Sequence, residues 1–285
     1  IAHTPHAVYQ CPGHQTADAG GVTHKPGMDV TNTVLVEIRE GIVGGDGAIN
    51  DAINGIMTSS ASNKDQIALG IIPNGIGNDF ASYWGLEKDD YKGAVDWIIN
   101  RRLRKIDVGR VSYDAGDLRK TRYFINAMYV GLGARFVWIS NGTRRFWGMQ
   151  WLSYLSSMFL LLFERKLHRI DMKINGEHIQ DTIMTVCIGS ARGYGLTPSA
   201  VPYNGWLDVS VVYRPEFLQL IKGLWLLVNG RLLNLKVVKP YRTHKVKIHR
   251  VQNAAISLDG RQLCYDESSL DVRILPEALT LIIPK

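Results

Sequence analysis

Two glycine-rich turns constrain this chain more than anything else in it, because each sits between an apolar run and a helical pattern. The first is Gly44-Gly45-Asp46-Gly47. Beyond it Ile49, Ala52, Ile53 and Ile56 recur at i, i+3, i+4 and i+7, the spacing of one helix face. The second is Pro73-Asn74-Gly75-Ile76-Gly77-Asn78-Asp79. It follows Ile67 to Ile72, a short continuous apolar run of the kind that forms a buried strand. A further helical stretch is expected from Phe80, and Tyr91, Ala94, Val95, Ile98 and Ile99 mark another helix. Val34 to Ile38 reads as a strand, with Ile42-Val43 the end of a second. Strand, glycine turn and helix, repeated, is the α/β pattern.

After Lys105 the pattern changes. Ile106 to Tyr113 and Tyr123 to Gly131 read as strands around a polar loop. Arg169 to Ile174, Asn175-Gly176 and Glu177 to Thr182 form a hairpin signal. Thr185 to Ile188, Leu207 to Val212, Lys245 to Val251, Ala255 to Leu258 and Leu270 to Leu275 are further strands. Two helical segments interrupt them, Trp147 to Phe163 and Glu216 to Leu233. A chain of 285 residues suits two domains. The expected boundary lies near residue 105, where basic residues end the last helix of the first half. An α/β domain over 1–105 then precedes a mostly β domain over 106–285.

Glycine lets backbone N–H groups approach an anion closely, and a following helix N-terminus adds positive potential. Both turns therefore have the physics of phosphate binding, although glycine turns from strand to helix are also common without a ligand. Neither is a G-x-x-x-x-G-K-[ST] loop or a G-x-G-x-x-G turn. Asp46, between glycines, is suited to orienting Mg²⁺ or accepting a proton, or simply to capping a helix.

Lys and Arg total 33 against 26 Asp and Glu, a net charge of +7. That fits a mildly basic surface or attraction to anionic partners such as nucleotides and phospholipid headgroups. No RNA-recognition or helix-turn-helix signature is present, so nucleic acid is not an expected partner. Three distant cysteines, Cys11, Cys187 and Cys264, argue for a reducing compartment, and no Cys/His cluster has zinc spacing. His3, His6, His14 and His24 lie among Pro and Gly, which reads as an irregular loop rather than a metal site. Met149 to Phe163 falls short of the roughly 20 residues that span a bilayer. No stretch at the start resembles a signal peptide, so a cytoplasmic protein touching the inner membrane surface is expected.

Taken together the turns are far more specific. Gly44 to Gly55 resembles the GGDGT-x-N-E-x-x-N-G signature of the diacylglycerol kinase and sphingosine kinase superfamily. Pro73 to Phe80 is similar to its second motif, P-x-G-T-G-N-D-F. Phe124-Ile125-Asn126-Ala127 through Gly131-Leu132-Gly133 resembles the strand entering that family's second domain. Gly193 to Pro198, then Asn204 to Asp208, resembles G-G-x-P-x-A followed by D-G-x-L-D, and Leu258-Asp259-Gly260 matches part of a late D-G-E. The resemblance spans about residues 40 to 285, in order, and is closest to the bacterial soluble lipid kinase branch.

The resemblance implies an α/β nucleotide-binding domain of the NAD kinase and diacylglycerol kinase type plus a β-sandwich lipid-kinase domain. It implies ATP and Mg²⁺ as cofactors and a lipid hydroxyl as the acceptor of the γ-phosphoryl group. Gly44, Gly45, Asp46, Gly47, Ala48, Ile49 and Asn50 would cradle the phosphates, with Gly75, Ile76, Gly77 and Asn78 beside them. Asp46 would organise Mg²⁺ or help deprotonate the hydroxyl. A second, structural metal maps to the Asn204 side chain and the carbonyls of Val201 and Trp206. A lipid substrate, peripheral membrane contact and a homodimer are the partners this suggests.

Departures cluster on chemistry. Ala48 and Ile76 stand where the family has Thr, and Asn204 replaces a metal-ligating Asp. Tyr9 replaces a further Thr if Pro12-Gly13-His14 is the family's early P-G-H. Arg261 replaces the Glu of D-G-E, taken as the base of the bacterial enzymes, and an arginine is no base at neutral pH. Arg261 could instead bind a substrate phosphate or stabilise transferred charge, with Asp259, Asp266 or Glu267 as replacement bases. The alternative reading is a catalytically impaired nucleotide- or lipid-binding protein on the same fold. The apolar faces of Trp147 to Leu162 and Phe217 to Val228 either pack on the β domain or meet a membrane surface.

Overall fold

The structure is a computed structural model describing residues 39–60, 66–75, 77–88, 90–100, 102–115, 118–131, 134, 166–252, 254–263 and 269–284. The expected strand Val34 to Ile38, the N-terminal histidines, Tyr9, Cys11, Ile76, Leu132, Gly133, the segment Trp147 to Phe163, Cys264, Asp266 and Glu267 lie outside these residues.

The α/β pattern is present where the sequence places it. β1 (Arg39–Gly44) lies parallel to β2 (Ala68–Pro73), with Gly44 opposite Pro73. Between them runs α1 (Asp46–Thr58), whose Ile49 and Ile53 are fully buried. α2 (Asp79–Tyr83) is a single turn, and α3 (Tyr91–Asn100) follows it. The basic cluster does not end a helix. α3 stops at Asn100, and Arg102 already opens the 14-residue strand β3 (Arg102–Ala115).

Tyr123 to Gly131, expected as one strand, is two. β4 (Leu118–Phe124) pairs with β3, whereas β5 (Ala127–Gly131) belongs to another sheet. The physical reason lies at Asp259. Its carboxylate accepts the N–H groups of Ile125, Asn126 and Ala127 at 2.8, 3.0 and 2.8 Å. Three successive amides turned to one carboxylate cannot alternate between two ladder neighbours.

β6 (His168–Ile174) and β7 (Glu177–Ile183) form the expected hairpin. Asn175 and Gly176 both have positive φ, 51° and 86°, as a type I′ turn demands. β8 (Thr185–Gly189), β9 (Leu207–Val212) and α4 (Phe217–Val228) come next. The helix is shorter than its apolar pattern, because Gly230, at φ 65°, turns the chain after Asn229. β10 (Val238–Thr243), β11 (Lys245–Val251), β12 (Ile256–Leu258) and β13 (Arg261–Leu263) lead to β14 (Leu270–Ile283).

β14 runs well past Leu275. Its register against β3 shifts between Leu275 and Leu279, where Pro276 lacks an N–H and Glu277 has φ 52°. The buried Asp107 carboxylate catches the Glu277 N–H at 3.0 Å. Beyond this bulge β14 joins β2 in parallel, while its first half pairs with β11. One strand thus stitches the glycine-turn region to the β region.

One sheet has the order β1-β2-β14-β11-β6-β7, with β3 on β14 and β4 on β3; the other has β10-β9-β8-β5-β12-β13. A core of Val111, Phe124, Met128, Ile188, Val246 and Val272, drawn from both sheets, makes them a sandwich. A second core packs Ile49, Ile53 and Phe80 on Leu69, Ile106 and Leu281. Burying each such side chain contributes roughly 1.5–3 kcal/mol. α4 covers the outer face of the second sheet through Leu220 and Leu226, which meet Met184, Val212 and Val238. The same cover buries Val212 at the end of β9, while Tyr194 and Leu196 pack against Cys187 of β8.

Candidate active site

The two glycine turns touch backbone to backbone. A Cβ on Gly75 would lie 2.3 Å from Gly45 Cα, and one on Gly45 would lie 2.8 Å from Gly75 Cα. No side chain fits at either position, since backbone on both sides leaves nothing to give way. Asn74 N–H donates to Gly44 O at 3.0 Å, continuing the β1–β2 ladder into the turns. Asn78, at φ 46°, closes the second turn. Its Oδ1 accepts the Gly75 N–H at 2.7 Å, and its Nδ2 donates to Gly75 O at 3.1 Å.

Within the first turn the residues divide. Gly44, Gly45, Gly47 and Ala48 are partly exposed, and the amides of Asp46 and Gly47 head α1, where a helix offers them no acceptor of its own. Ile49 and Asn50 turn inward instead. Ile49 joins the core, and Asn50 Nδ2 donates to Tyr123 O at 2.9 Å and to Asp259 Oδ2 at 3.0 Å. One turn of helix later Asn54 exchanges two hydrogen bonds with the Tyr123 backbone, 2.9 and 3.0 Å long. These asparagines fix α1 against the end of β4. In the second turn Gly77 is exposed and Gly75 and Asn78 are buried.

Asp46 is a helix cap, but of its neighbour. Gly45 occupies the N-cap of α1, while the Asp46 carboxylate accepts the Asp79 and Phe80 N–H groups of α2, each at 3.1 Å. Its Oδ2 also accepts the Tyr194 hydroxyl at 2.7 Å. Tyr194 is held at φ 49°, in the left-handed region, between Gly193 and Gly195. Its own N–H donates to Asp79 Oδ2 at 2.8 Å, so this one residue joins both carboxylates. The ring lies on Gly77, where a Cβ would come within 2.8 Å of it. Asn126 completes the group, donating from Nδ2 to Asp79 Oδ2 at 2.8 Å and accepting the Gly193 N–H at 2.9 Å.

Burial raises the Asp79 carboxyl above the ordinary range. The bonds from Tyr194 and Asn126 pull it down, the Asp46 charge pushes it up, and Arg192 pulls it down. The Arg192 guanidinium lies over the Tyr83 ring at 5.3 Å. Two adjoining carboxylates, one reluctant to ionise, form an oxygen donor set that a small hard cation would relieve. Asp46 thus fits Mg²⁺ chemically, with Asp79 beside it.

Asp259 plays another part. It sits at φ 44° before Gly260 at φ 88°, the two-residue turn between β12 and β13. Its buried carboxylate holds Asn50 as well as the three amides of the β4–β5 break. Burial pushes its carboxyl up to about 6 against the pull of those donors. Arg261, two residues on, is more than half exposed and pairs with Asp51 on α1 through two guanidinium nitrogens. Its Nε also donates to Gly47 O at 3.3 Å. The hairpin is therefore bound to α1 at both Asn50 and Asp51.

Val201, Asn204 and Trp206 do share one loop, and two of the three expected ligand groups are already in use. Val201 O accepts the Tyr203 N–H at 2.8 Å, and Asn204 Oδ1 accepts the Trp206 N–H at 3.0 Å. Asp107 Oδ2, buried below, accepts the Gly205 N–H at 2.6 Å. A cation there would have to displace these bonds. Among the described residues no cluster of three or more His, Cys, Asp or Glu side chains could hold a metal.

Two family models match successive stretches of the chain. The family model for the diacylglycerol kinase catalytic domain matches residues 32–111. The model for the YegS C-terminal NAD kinase beta sandwich-like domain matches residues 126–283. The chain belongs to the diacylglycerol kinase and YegS-like lipid kinase family. It is 26% identical over 258 residues to a diacylglycerol kinase of Bacillus subtilis (strain 168), covering 89% of this chain and 80% of that one. A diacylglycerol kinase of Mycobacterium tuberculosis (strain CDC 1551 / Oshkosh) is 23% identical over 282 residues, covering 95% and 87%. The crystal structure of a diacylglycerol kinase from Bacillus anthracis str. Sterne shares the fold, with a TM-score of 0.60 at 16% identity over 86% of this chain and 76% of that chain.

Sequence reasoning named Asp46 but gave no role to Asp79, Asn126 or Tyr194. All three lie inside the stretches that carry the family resemblance. What the sequence withheld was their convergence, which needs the β4–β5 break and the left-handed Tyr194.

Proposed function

We propose that the chain is an ATP-dependent lipid kinase that transfers the γ-phosphoryl group of ATP to the hydroxyl of a diacylglycerol-like lipid. The observation that carries this reading is the Asp46–Tyr194–Asp79 junction, set where the two glycine turns meet. The nucleotide phosphates lie along the backbone of Gly44, Gly45, Gly47 and Ala48, with Gly75 to Asn78 beside them, on the half spanning 1–105. The lipid enters from the half spanning 106–285. Mg²⁺, when bound, neutralises phosphate charge, and Asp46 would hold it, with Asp79 left to act on the hydroxyl.

Phosphoryl transfer needs positioning and charge neutralisation more than covalent help. Tyr194 and Asn126 supply positioning by fixing both carboxylates. Asp79 is the group best suited to accept the hydroxyl proton. Its Oδ2 is held by two donors, while Oδ1 has no hydrogen bond among the described residues. Its raised proton affinity favours that step. Asp259 is not suited, because four N–H donors occupy its two oxygens. The deciding experiment is transfer from labelled ATP with Mg²⁺ to a panel of lipids in mixed micelles. Label is expected in diacylglycerol or a near relative. A folded protein that labels no lipid would overturn the reading.

One observation favours the second reading, a catalytically impaired binding protein. Arg261 holds the position of the expected base and is engaged with Asp51 and the Gly47 carbonyl. Arg261→Glu separates the readings. A glutamate there would face Asp51 and lose the link to α1, so turnover is expected to stay level or fall. Stability should change by less than about 1 kcal/mol, since the pair is exposed. A rise in turnover of about tenfold or more would show that a missing base limits the rate, as the impaired reading requires.

A further inference from the structure

α4 has two faces with different chemistry. The inner face is pinned by Leu220 and Leu226, and Gly223 lets the helix backbone approach Leu235, whose Cδ2 would lie 3.0 Å from an added Cβ. The outer face carries Leu218, Ile221 and Trp225, which are 75%, 47% and 62% exposed. Spaced i, i+3 and i+7, they form one apolar stripe. Such residues singly are ordinary on a surface, but a Leu-Ile-Trp stripe on one helix is not.

The charge around the stripe says what covers it. Arg214, Lys222, Arg231 and Lys236 are exposed along and beside the helix, and Glu216 is the one acidic residue between 214 and 236. An apolar stripe rimmed by cations, with a tryptophan near the end of the stripe, matches the boundary between acyl chains and anionic headgroups. A second copy of this chain would bring like charges together.

The helix also touches the site. A Cβ on Gly195 would lie 3.2 Å from Leu227 Cδ1, and Leu196 packs on the cluster that contains Leu220 and Leu226. Gly195 and Leu196 directly follow Tyr194, which bonds to both Asp46 and Asp79. The inner face of α4 thus braces the turn that orders the carboxylates.

We propose that α4 is the element on which the chain docks to a bilayer bearing anionic phospholipid, with Leu218, Ile221 and Trp225 entering the interface. The proposal rests on the lipid kinase reading for its purpose, and its test does not depend on activity. The test is co-sedimentation with vesicles of phosphatidylcholine alone and of phosphatidylcholine mixed with phosphatidylglycerol. The protein should partition to the mixed vesicles. Leu218→Ser with Trp225→Ser should lower that partition by about tenfold or more. Lys222→Gln should lower it about fivefold on mixed vesicles and leave phosphatidylcholine binding unchanged. The double variant should still phosphorylate a short-chain, water-soluble diacylglycerol at the unaltered rate. If no substrate is phosphorylated, the kinase reading fails while the partition result still decides the docking. Equal partition of the unaltered protein and the double variant, or none by either, would overturn the proposal. So would a concentration-dependent dimer that the double variant abolishes, which would give the stripe to a second copy. Lys222 is exposed, so its variant keeps the test valid should the double variant unfold.

Discussion

Asp46→Ala is expected to lower phosphoryl transfer by about a thousandfold or more, measured as single-turnover label transfer at saturating ATP. Two losses combine. The substitution removes the carboxylate that would hold Mg²⁺. It also strips α2 of the acceptor for its Asp79 and Phe80 amides and leaves the Tyr194 hydroxyl without this partner. Asp46→Asn separates the two. It keeps the size of the side chain and one oxygen but discards the charge, so a loss close to that of alanine assigns the effect to charge. Undiminished transfer by both variants would remove Asp46 from the site. The pH profile carries the companion signature of Asp79. A base works when deprotonated, so transfer should fall as pH drops through the Asp79 pKa. Burial raises that value and a bound cation beside it lowers it, so the acid limb should move to higher pH as Mg²⁺ is made limiting. In Asp79→Asn that limb should vanish along with most of the activity.

The site could be read from the sequence in pieces, and the pieces were local. Gly45 and Gly75 stood out because glycine runs between strand and helix patterns are visible in a few residues. Their contact across the turns is not visible, since nothing in either motif encodes a distance to the other. The same limit explains Tyr123 to Gly131. The segment reads locally as one strand, and a carboxylate more than 130 residues away breaks it in two. β14 failed for the opposite reason. Pro276 is a sound local stop signal, yet Asp107 takes up the Glu277 amide and the strand resumes. The α4 pattern predicted burial on the β domain or a membrane-facing surface. The helix packs on the sheet through one face and exposes the other, which an apolar count over the whole segment cannot separate. Arg261 was conspicuous only as a departure from the family motif. Its partner Asp51 lies in the other motif, so the ion pair links two stretches that the sequence could only examine apart.

Asp259→Ala should cost the fold about 3 kcal/mol or more, and the balance behind that figure can be tested by pH. The substitution abandons three backbone N–H groups and the Asn50 amide in a buried site. Each unmet donor costs roughly 1–3 kcal/mol, although such costs do not add fully. Against this stands relief from burying a charge. The Asp259 carboxyl is pushed up to about 6 from 3.8, which at roughly 1.4 kcal/mol per pH unit is about 3 kcal/mol at neutral pH. The donors outweigh that relief, so the variant is destabilised. A total stability of roughly 5–15 kcal/mol leaves it marginal. The pH dependence follows from the sign of the shift. Between about pH 4 and 6 the folded state keeps a proton on Asp259 that the unfolded state has released. The stabilisation from this group is complete below pH 4 and is lost as pH rises through 6. Denaturant unfolding of both proteins should therefore show a gap that narrows by about 3 kcal/mol from pH 4 to pH 7. The subtraction removes groups of opposite sign, such as Asp271, whose lowered carboxyl is common to both proteins. A gap that stays level over the same interval would mean that the four donors hold Asp259 ionised throughout. In that case its charge, rather than its burial, would set the stability of the junction between α1, β5 and the β12–β13 hairpin.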